Sequence, residues 1–227
     1  MKKLLVLFVI IVAFYSSKGR CEDYQEFSHA DSLLAKKQYL LAIEAYSVFL
    51  DGDNADYALY KTGLSKNGLA GYCVSTYQFN KYPDTYKRRY GENYQTYLAY
   101  MEYIEKHKGE FGYFEPEGMY ISEGADFRKI ISDYPESDLV DNSAYELLLQ
   151  SRHIDWEGDY RDMLPRIEQC KRFLESYPDS DVRDKVIYLC FGDYNNVLGS
   201  WEFPDSLEIK YQKEIEAFKQ RWRKKEE

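Results

Sequence analysis

The tetrapeptides Tyr134-Pro135-Glu136-Ser137 and Tyr177-Pro178-Asp179-Ser180 decide the fold of this 227-residue chain. Two other segments repeat their order of aromatic residue, proline, acid and hydroxyl: Tyr82-Pro83-Asp84-Thr85 and Phe203-Pro204-Asp205-Ser206. Proline prevents the preceding helix from continuing, and the acid or hydroxyl can accept the free N–H groups at the start of the next helix. Each tetrapeptide therefore predicts that one helix ends and another begins.

Apolar residues between these breaks recur at helical spacing. They form three stripes: Val140, Ala144, Leu147 and Leu148; Ile167, Cys170, Leu174 and Tyr177; and Leu207, Tyr211, Ile215, Phe218 and Trp222. No stretch sustains the alternation of period two that is typical of strands. Because the connections are short, consecutive helices are expected to pack in antiparallel pairs. The sequence predicts an all-α chain of about ten helices.

A weak internal repeat underlies the breaks. Phe49, Tyr134 and Tyr177 align without gaps at offsets of 85 and 43 residues. The same alignment superimposes three tyrosines, each 11 residues further on: Tyr60, Tyr145 and Tyr188. Such spacing is typical of helical solenoids, in which each hairpin buries its apolar face against its neighbours.

Composition and motifs argue against several classes of function. The chain carries 39 acidic and 30 basic residues, whereas nucleic-acid binding requires an excess of cations. The three histidines are dispersed, and no nucleophile motif of the Gly-x-Ser-x-Gly type occurs. The glycines from Gly63 to Gly71 begin like a phosphate loop but lack its lysine and hydroxyl, so they predict a helix end and a turn. We therefore predict no enzyme activity, no metal, no cofactor and no nucleic-acid partner.

The N-terminus has the order of a secretory signal. Two lysines precede an apolar run from Leu4 to Tyr15, which is too short to span a bilayer as a helix. Residues 1–19 are predicted to be the signal and residues 20–227 a single domain. The signal contains three lysines, so the net charge changes from −9 for the whole chain to −12 for the mature protein. Cys21 follows at once, and it is either a lipidated cysteine or an ordinary one near the mature N-terminus.

A family resemblance follows from two segments. Tyr39-Leu-Leu-Ala42-Ile-Glu-Ala-Tyr46-Ser-Val-Phe49-Leu50-Asp51 resembles the second helix of a tetratricopeptide repeat, and Tyr188, Phe191 and Gly192 resemble the large-large-glycine signature of a first helix. With the four breaks and the export signal, the chain resembles the tetratricopeptide lipoproteins of the outer-membrane β-barrel assembly machinery and the periplasmic proteins that bind TolA. The resemblance covers residues 29–64 and 121–200 and fades across the Tyr-rich residues 66–120; a C-terminal helix is expected over 204–225.

The resemblance implies a right-handed α-α superhelix that acts as a scaffold in the periplasm or at the periplasmic face of the outer membrane. Its partners would be proteins or extended peptides held in a groove. Membrane association would come only through lipidation or through a partner. The resemblance implies no catalysis. If Tyr145 and Tyr188 occupy the large position of their first helices, the groove residues are Glu146, Gln150, His153, Leu189, Asp193 and Asn196.

The Tyr-rich region leaves two interpretations open. Tyr86, Tyr90, Tyr94 and Tyr97 share one helical face, which is either a core stripe or an aromatic binding surface. An aromatic binding surface would support an alternative function, in which the protein associates with glycans of the cell wall. A second alternative is a structural spacer without a specific ligand. The glycine-rich residues 109–118 predict a connecting loop.

Two cysteines fall on opposite arms of one predicted hairpin. Cys170 precedes the break at Tyr177 and Cys190 follows it. In an oxidising compartment they either form a disulfide or remain buried thiols.

Overall fold

The computed structural model describes residues 25–73, 83–114, 118–152, 159–200 and 203–222. Most of these residues are helical, which confirms the all-α prediction in outline. The predicted signal over residues 1–19, the candidate lipidation site Cys21 and the predicted groove residue His153 lie outside the described residues.

Ten α-helices lie within the described residues. In chain order they are α1 Ser28–Ala35, α2 Tyr39–Ser47, α3 Ala55–Tyr72, α4 Pro83–Tyr90, α5 Tyr94–Lys106, α6 Ala125–Asp133, α7 Val140–Gln150, α8 Leu164–Ser176, α9 Arg183–Gly199 and α10 Asp205–Trp222. Strands β1 Phe111–Phe114 and β2 Met119–Ser122 lie between α5 and α6.

The helix breaks predicted at Pro135 and Pro178 are confirmed, because α6 ends just before Pro135 and α8 just before Pro178, and a new helix follows each. At the other two tetrapeptides the predicted helix start is confirmed, since α4 begins at Pro83 and α10 begins directly after Pro204. Residues 74–82 and 201–202, which precede these two starts, lie outside the described residues.

Two of these breaks have the same hydrogen bonds. The Ser137 hydroxyl accepts the N–H of Leu139 at 3.1 Å, and the Ser180 hydroxyl accepts the N–H of Val182 at 3.2 Å. Before the prolines, the N–H groups of the two aromatic residues each donate 2.9 Å bonds to carbonyl oxygens four residues earlier: Tyr134 to Ile130, and Tyr177 to Phe173. The repeat of 43 residues seen in the sequence is therefore also a repeat of local structure.

A β-hairpin replaces the loop predicted over residues 109–118. Strands β1 and β2 pair antiparallel, with Phe111 opposite Ser122 and Phe114 opposite Met119. Lys66 on α3 fixes both ends of this insertion, because its ammonium lies 2.5 Å from a Glu110 carboxylate oxygen and 2.8 Å from one of Asp126. Each strand has only four residues, too few for an alternating pattern to stand out in the sequence.

The helix end predicted between Gly63 and Gly71 is wrong, since α3 runs continuously to Tyr72. The glycines instead permit close packing. A Cβ atom on Gly63 would lie 2.7 Å from Cζ of Phe127, and one on Gly68 would lie 2.3 Å from Cε1 of Tyr39. Helices α6 and α2 therefore approach α3 at positions where a larger residue would clash.

The buried side chains form three clusters along the chain. The first joins α1, α2 and α3 around Phe27 and Tyr46, and the second joins α3, α5 and β1 around Leu69 and Tyr97. The third and largest extends from α7 to α10 and includes the predicted stripes of α8 and α10: Ile167, Cys170 and Leu174, and Tyr211, Ile215 and Phe218. The helical stripes therefore face the core as predicted.

Candidate functional site

A two-part cleft follows the C-terminal half of α7, and we call it the α7 cleft. Its first part, of about 450 Å³, lies between the hairpin and α7. Its second part, of about 300 Å³, lies between α7 and α8. Leu147 and Ser151 line both parts, so the two parts adjoin each other along α7. Both volumes are in the range of sites that bind small molecules or single side chains of a peptide.

The first part of the cleft is shaped by Gly124 and Gln150. Gly124 has a φ of +70°, and a Cβ atom there would lie 2.2 Å from Oε1 of Gln150, so only glycine fits. The Gln150 amide donates a hydrogen bond of 2.7 Å to Oδ1 of Asn67, and Asn67 in turn donates one of 3.1 Å to Glu146. This bridge ties α7 to α3 and orients the cleft wall.

The second part has an apolar floor and a polar edge. Leu148 and Phe173 are buried, and both line this part together with the half-buried Leu147. At the edge, the Ser151 hydroxyl lies 2.9 Å from Oε1 of Gln169, across the gap between α7 and α8. An apolar side chain of a peptide ligand would be removed from water on this floor, while the backbone of the peptide would reach the polar edge.

The rim of the cleft is locally basic on an acidic protein. Arg128 lines the first part and Arg172 the second, and both are exposed. Among the described residues that line the two parts, Glu123 is the single acidic one. The cleft therefore favours a ligand with negative charge, although the whole chain has a net charge of −9.

The groove residues predicted from the sequence are distributed unevenly around this cleft. Gln150 lines its first part, and Glu146 lies half-buried beside it, where burial raises the pKa of its carboxyl group. Leu189 and Asn196 are half-buried on α9 and do not line either part.

Asp193 was also predicted to face the groove, and this prediction is wrong. Its side chain is fully buried, and Arg152 donates two hydrogen bonds to its carboxylate, at 2.6 and 2.5 Å. The Arg166 guanidinium lies 3.4 Å from the same carboxylate. Asp193 is therefore the internal counter-ion of two arginines and joins α9 to the end of α7.

The four tyrosines predicted as an aromatic surface lie largely in the core. Tyr97 is fully buried and Tyr86 is 5% exposed, so the surface interpretation is wrong for both. Tyr90 and Tyr94 are half-buried, and the Tyr90 ring stacks on Tyr97 with 4.4 Å between centroids. Burial raises the pKa of Tyr90 to about 12. The stripe is mainly a packing surface because α4 and α5 pack against each other through it.

Several residues of the cleft were not singled out from the sequence. Arg128, Ser151 and Arg172 belong to no motif, and they come together only because α6 and α8 both lie beside α7. Leu147 was predicted as part of an apolar stripe, but helical spacing alone does not indicate which residue of a stripe lines a cleft.

The described cysteines Cys73, Cys170 and Cys190 are buried free thiols. The interaction between the Cys170 and Cys190 thiols lowers the pKa of Cys170 and raises that of Cys190. Cys73 lies in a different core cluster.

Within the described ranges, no set of three or more His, Cys, Asp or Glu side chains is arranged to hold a metal ion. None of the described helices has the length and apolar character needed to cross a bilayer. Comparison with known proteins gives no match to a family model, to a curated protein or to a solved structure.

Proposed function

We propose that this chain is an exported, non-catalytic scaffold of the tetratricopeptide type that binds an extended segment of a partner protein in the α7 cleft. The envelope location is supported by the signal-like order of residues 1–19. The solenoid arrangement is supported by the repeated breaks at Pro135 and Pro178, which have the same hydrogen bonds around them.

The observation that carries the proposal is that the two parts of the α7 cleft adjoin each other along one helix. Two cavities that share Leu147 and Ser151 can accept successive side chains of one extended chain, whereas a single closed cavity would favour a compact ligand. The walls are held in place before any ligand arrives, because Asn67 fixes Gln150 on one side. Such preorganisation lowers the entropic cost of binding.

The chemistry of the cleft defines the partner segment. An apolar side chain fits the floor formed by Leu147, Leu148 and Phe173, and a carboxylate can bind Arg128 or Arg172 at the rim. The expected ligand is therefore an extended peptide in which an apolar residue is flanked by one or more acidic residues.

Selection of displayed random peptides on the purified mature protein tests this proposal. Selected sequences are expected to combine an apolar residue with acidic neighbours. The double variant Arg128→Glu/Arg172→Glu should bind them roughly tenfold more weakly, or worse, because two attractive charges become repulsive.

A matched control is available on the same helical scaffold. Lys129→Glu/Lys213→Glu makes the same change in net charge at two exposed lysines that line neither part of the cleft. It should leave binding nearly unchanged at moderate salt. Equal weakening in both double variants, or selection of no peptide at all, would contradict the proposal, and the second result would favour a structural spacer.

A further inference from the structure

The buried thiols Cys170 and Cys190 lie in a setting that packing alone does not require. Both are fully buried, one on α8 and one on α9, within the largest core cluster. The two thiol groups neighbour each other in this cluster, on helices that form the two arms of one hairpin.

Charged groups converge on one of the two sulfurs. Nη1 of Arg152 lies 3.8 Å from Sγ of Cys170 and donates to the Asp193 carboxylate at the same time. Asp193 holds Arg152 from a second direction through Nη2. The guanidinium is therefore fixed beside Cys170, where a positive charge favours the thiolate form.

We propose that Cys170 and Cys190 are a redox pair that closes to a disulfide between α8 and α9 by exchange with a small-molecule or protein disulfide. This proposal does not depend on the proposed function, because it concerns the stability of the α8–α9 hairpin and not the ligand of the cleft.

The exchange has two steps. The Cys170 thiolate attacks one sulfur of the incoming disulfide, forming a mixed disulfide and releasing one thiolate. The Cys190 thiol then loses its proton, and its sulfur attacks Sγ of Cys170 and displaces the second thiolate. The chain loses two electrons and two protons, and the incoming disulfide becomes two thiols.

Burial determines when this reaction can occur. Because both side chains are inaccessible in the folded chain, the incoming disulfide must reach Cys170 while the hairpin is open, during folding or local unfolding. Arg152 is not held beside Cys170 in the open hairpin, so the first step uses the ordinary thiolate population of this cysteine. Once formed, the disulfide is shielded by the same core. A bridge that closes a loop of this size restricts the unfolded chain and raises the melting temperature.

Refolding of the mature protein in buffers of reduced and oxidised glutathione tests the proposal. After denaturation in an alkylating agent, peptide mapping should find Cys170 linked to Cys190 and Cys73 alkylated. Trypsin separates the two cysteines, because Lys171 and Arg183 lie between them, so a linked pair of peptides is diagnostic. The oxidised protein should melt roughly 5–10 °C above the reduced protein.

Two variants complete the test. Cys190→Ala should abolish the linked peptides and the difference in melting temperature, whereas Cys73→Ala should retain both. Full alkylation of Cys170 and Cys190 in correctly refolded wild-type protein at every glutathione ratio would overturn the proposal, as would their linkage to Cys73 or Cys21. The glutathione test is read on the wild-type chain, so it does not depend on whether a variant folds.

Discussion

Replacement of Asp193 by asparagine should destabilise the protein more than most single substitutions. The Asp193 side chain is fully buried, and Arg152 binds it through two hydrogen bonds while Arg166 lies 3.4 Å away. In Asp193→Asn the carboxylate is lost, and the new amide N–H group faces guanidinium donors. Two largely buried arginines then lose the one carboxylate that contacts them among the described residues.

The size of this effect follows from the burial of the pair. Loss of one partner of a buried ion pair costs about 3–5 kcal/mol, mainly because the remaining charge is left uncompensated. For a chain of this size, the midpoint of urea unfolding should fall by about 1–2 M. Urea is the appropriate denaturant because it is uncharged and does not screen the ion pair.

A triple variant separates the charge from the packing. Arg152→Met/Arg166→Met/Asp193→Leu removes all three charges and should recover most of the stability lost in Asp193→Asn, since apolar replacement of a whole buried charge group is often neutral. As a control, Glu102→Gln removes an exposed partner of Lys106 and should leave the unfolding curve unchanged. A loss below about 1 kcal/mol in Asp193→Asn would refute the reasoning, because it is too small for an uncompensated buried charge.

Two further predictions concern packing and alkaline pH. Gly63→Ala should lower the free energy of unfolding in urea by about 1–3 kcal/mol, because the new Cβ would meet the fully buried Phe127 ring. Gly192→Ala should raise it by about 0.5–1 kcal/mol, because its Cβ would meet no neighbouring atom within 4 Å and alanine favours the helical conformation of α9. Burial raises the pKa of both Tyr60 and Tyr90 to about 12 from an ordinary value of 10.0. The unfolded chain therefore loses these protons first, so their contribution to stability is complete below pH 10 and is lost as the pH rises towards 12, a loss that Tyr90→Phe should reduce in urea titrations.

The sequence predicts helix boundaries well where a residue acts through its own backbone. Pro135 and Pro178 end helices because they lack an N–H group and clash with the preceding turn, and this effect does not depend on tertiary structure. Ser137 and Ser180 act locally as well, since their hydroxyls bind N–H groups two residues away. Such features can be read from a single sequence.

Predictions from the sequence are wrong where the same residue type can have two structural roles. Glycine at positions 63 and 68 predicts a break, but here it allows neighbouring helices to approach α3. Aspartate in an exposed groove and aspartate as a buried counter-ion look alike at position 193, and the difference lies in Arg152, 41 residues away. The hairpin was missed for a related reason, because it depends on Lys66 in another element.

The α7 cleft itself was only partly predictable. Gln150 was identified through the repeat alignment, whereas the arginines on the rim, on α6 and α8, are not at equivalent positions of that alignment. Clefts form between elements, so their composition depends on packing that periodicity does not specify. The charge of the rim is also opposite to that of the whole chain, so composition alone gives no indication of its preferred ligand.

Hydrogen–deuterium exchange of the mature protein, with and without a selected peptide of acidic and apolar residues, tests the central claim most directly. The account predicts slower exchange in the hairpin and in the segment from Leu147 to Arg152, which border the cleft. Helix α10, which lines neither part, should exchange at the same rate in both samples. Protection confined to α10 or to α1 and α2, with unchanged exchange around Leu147, would contradict the assignment of the α7 cleft as the binding site.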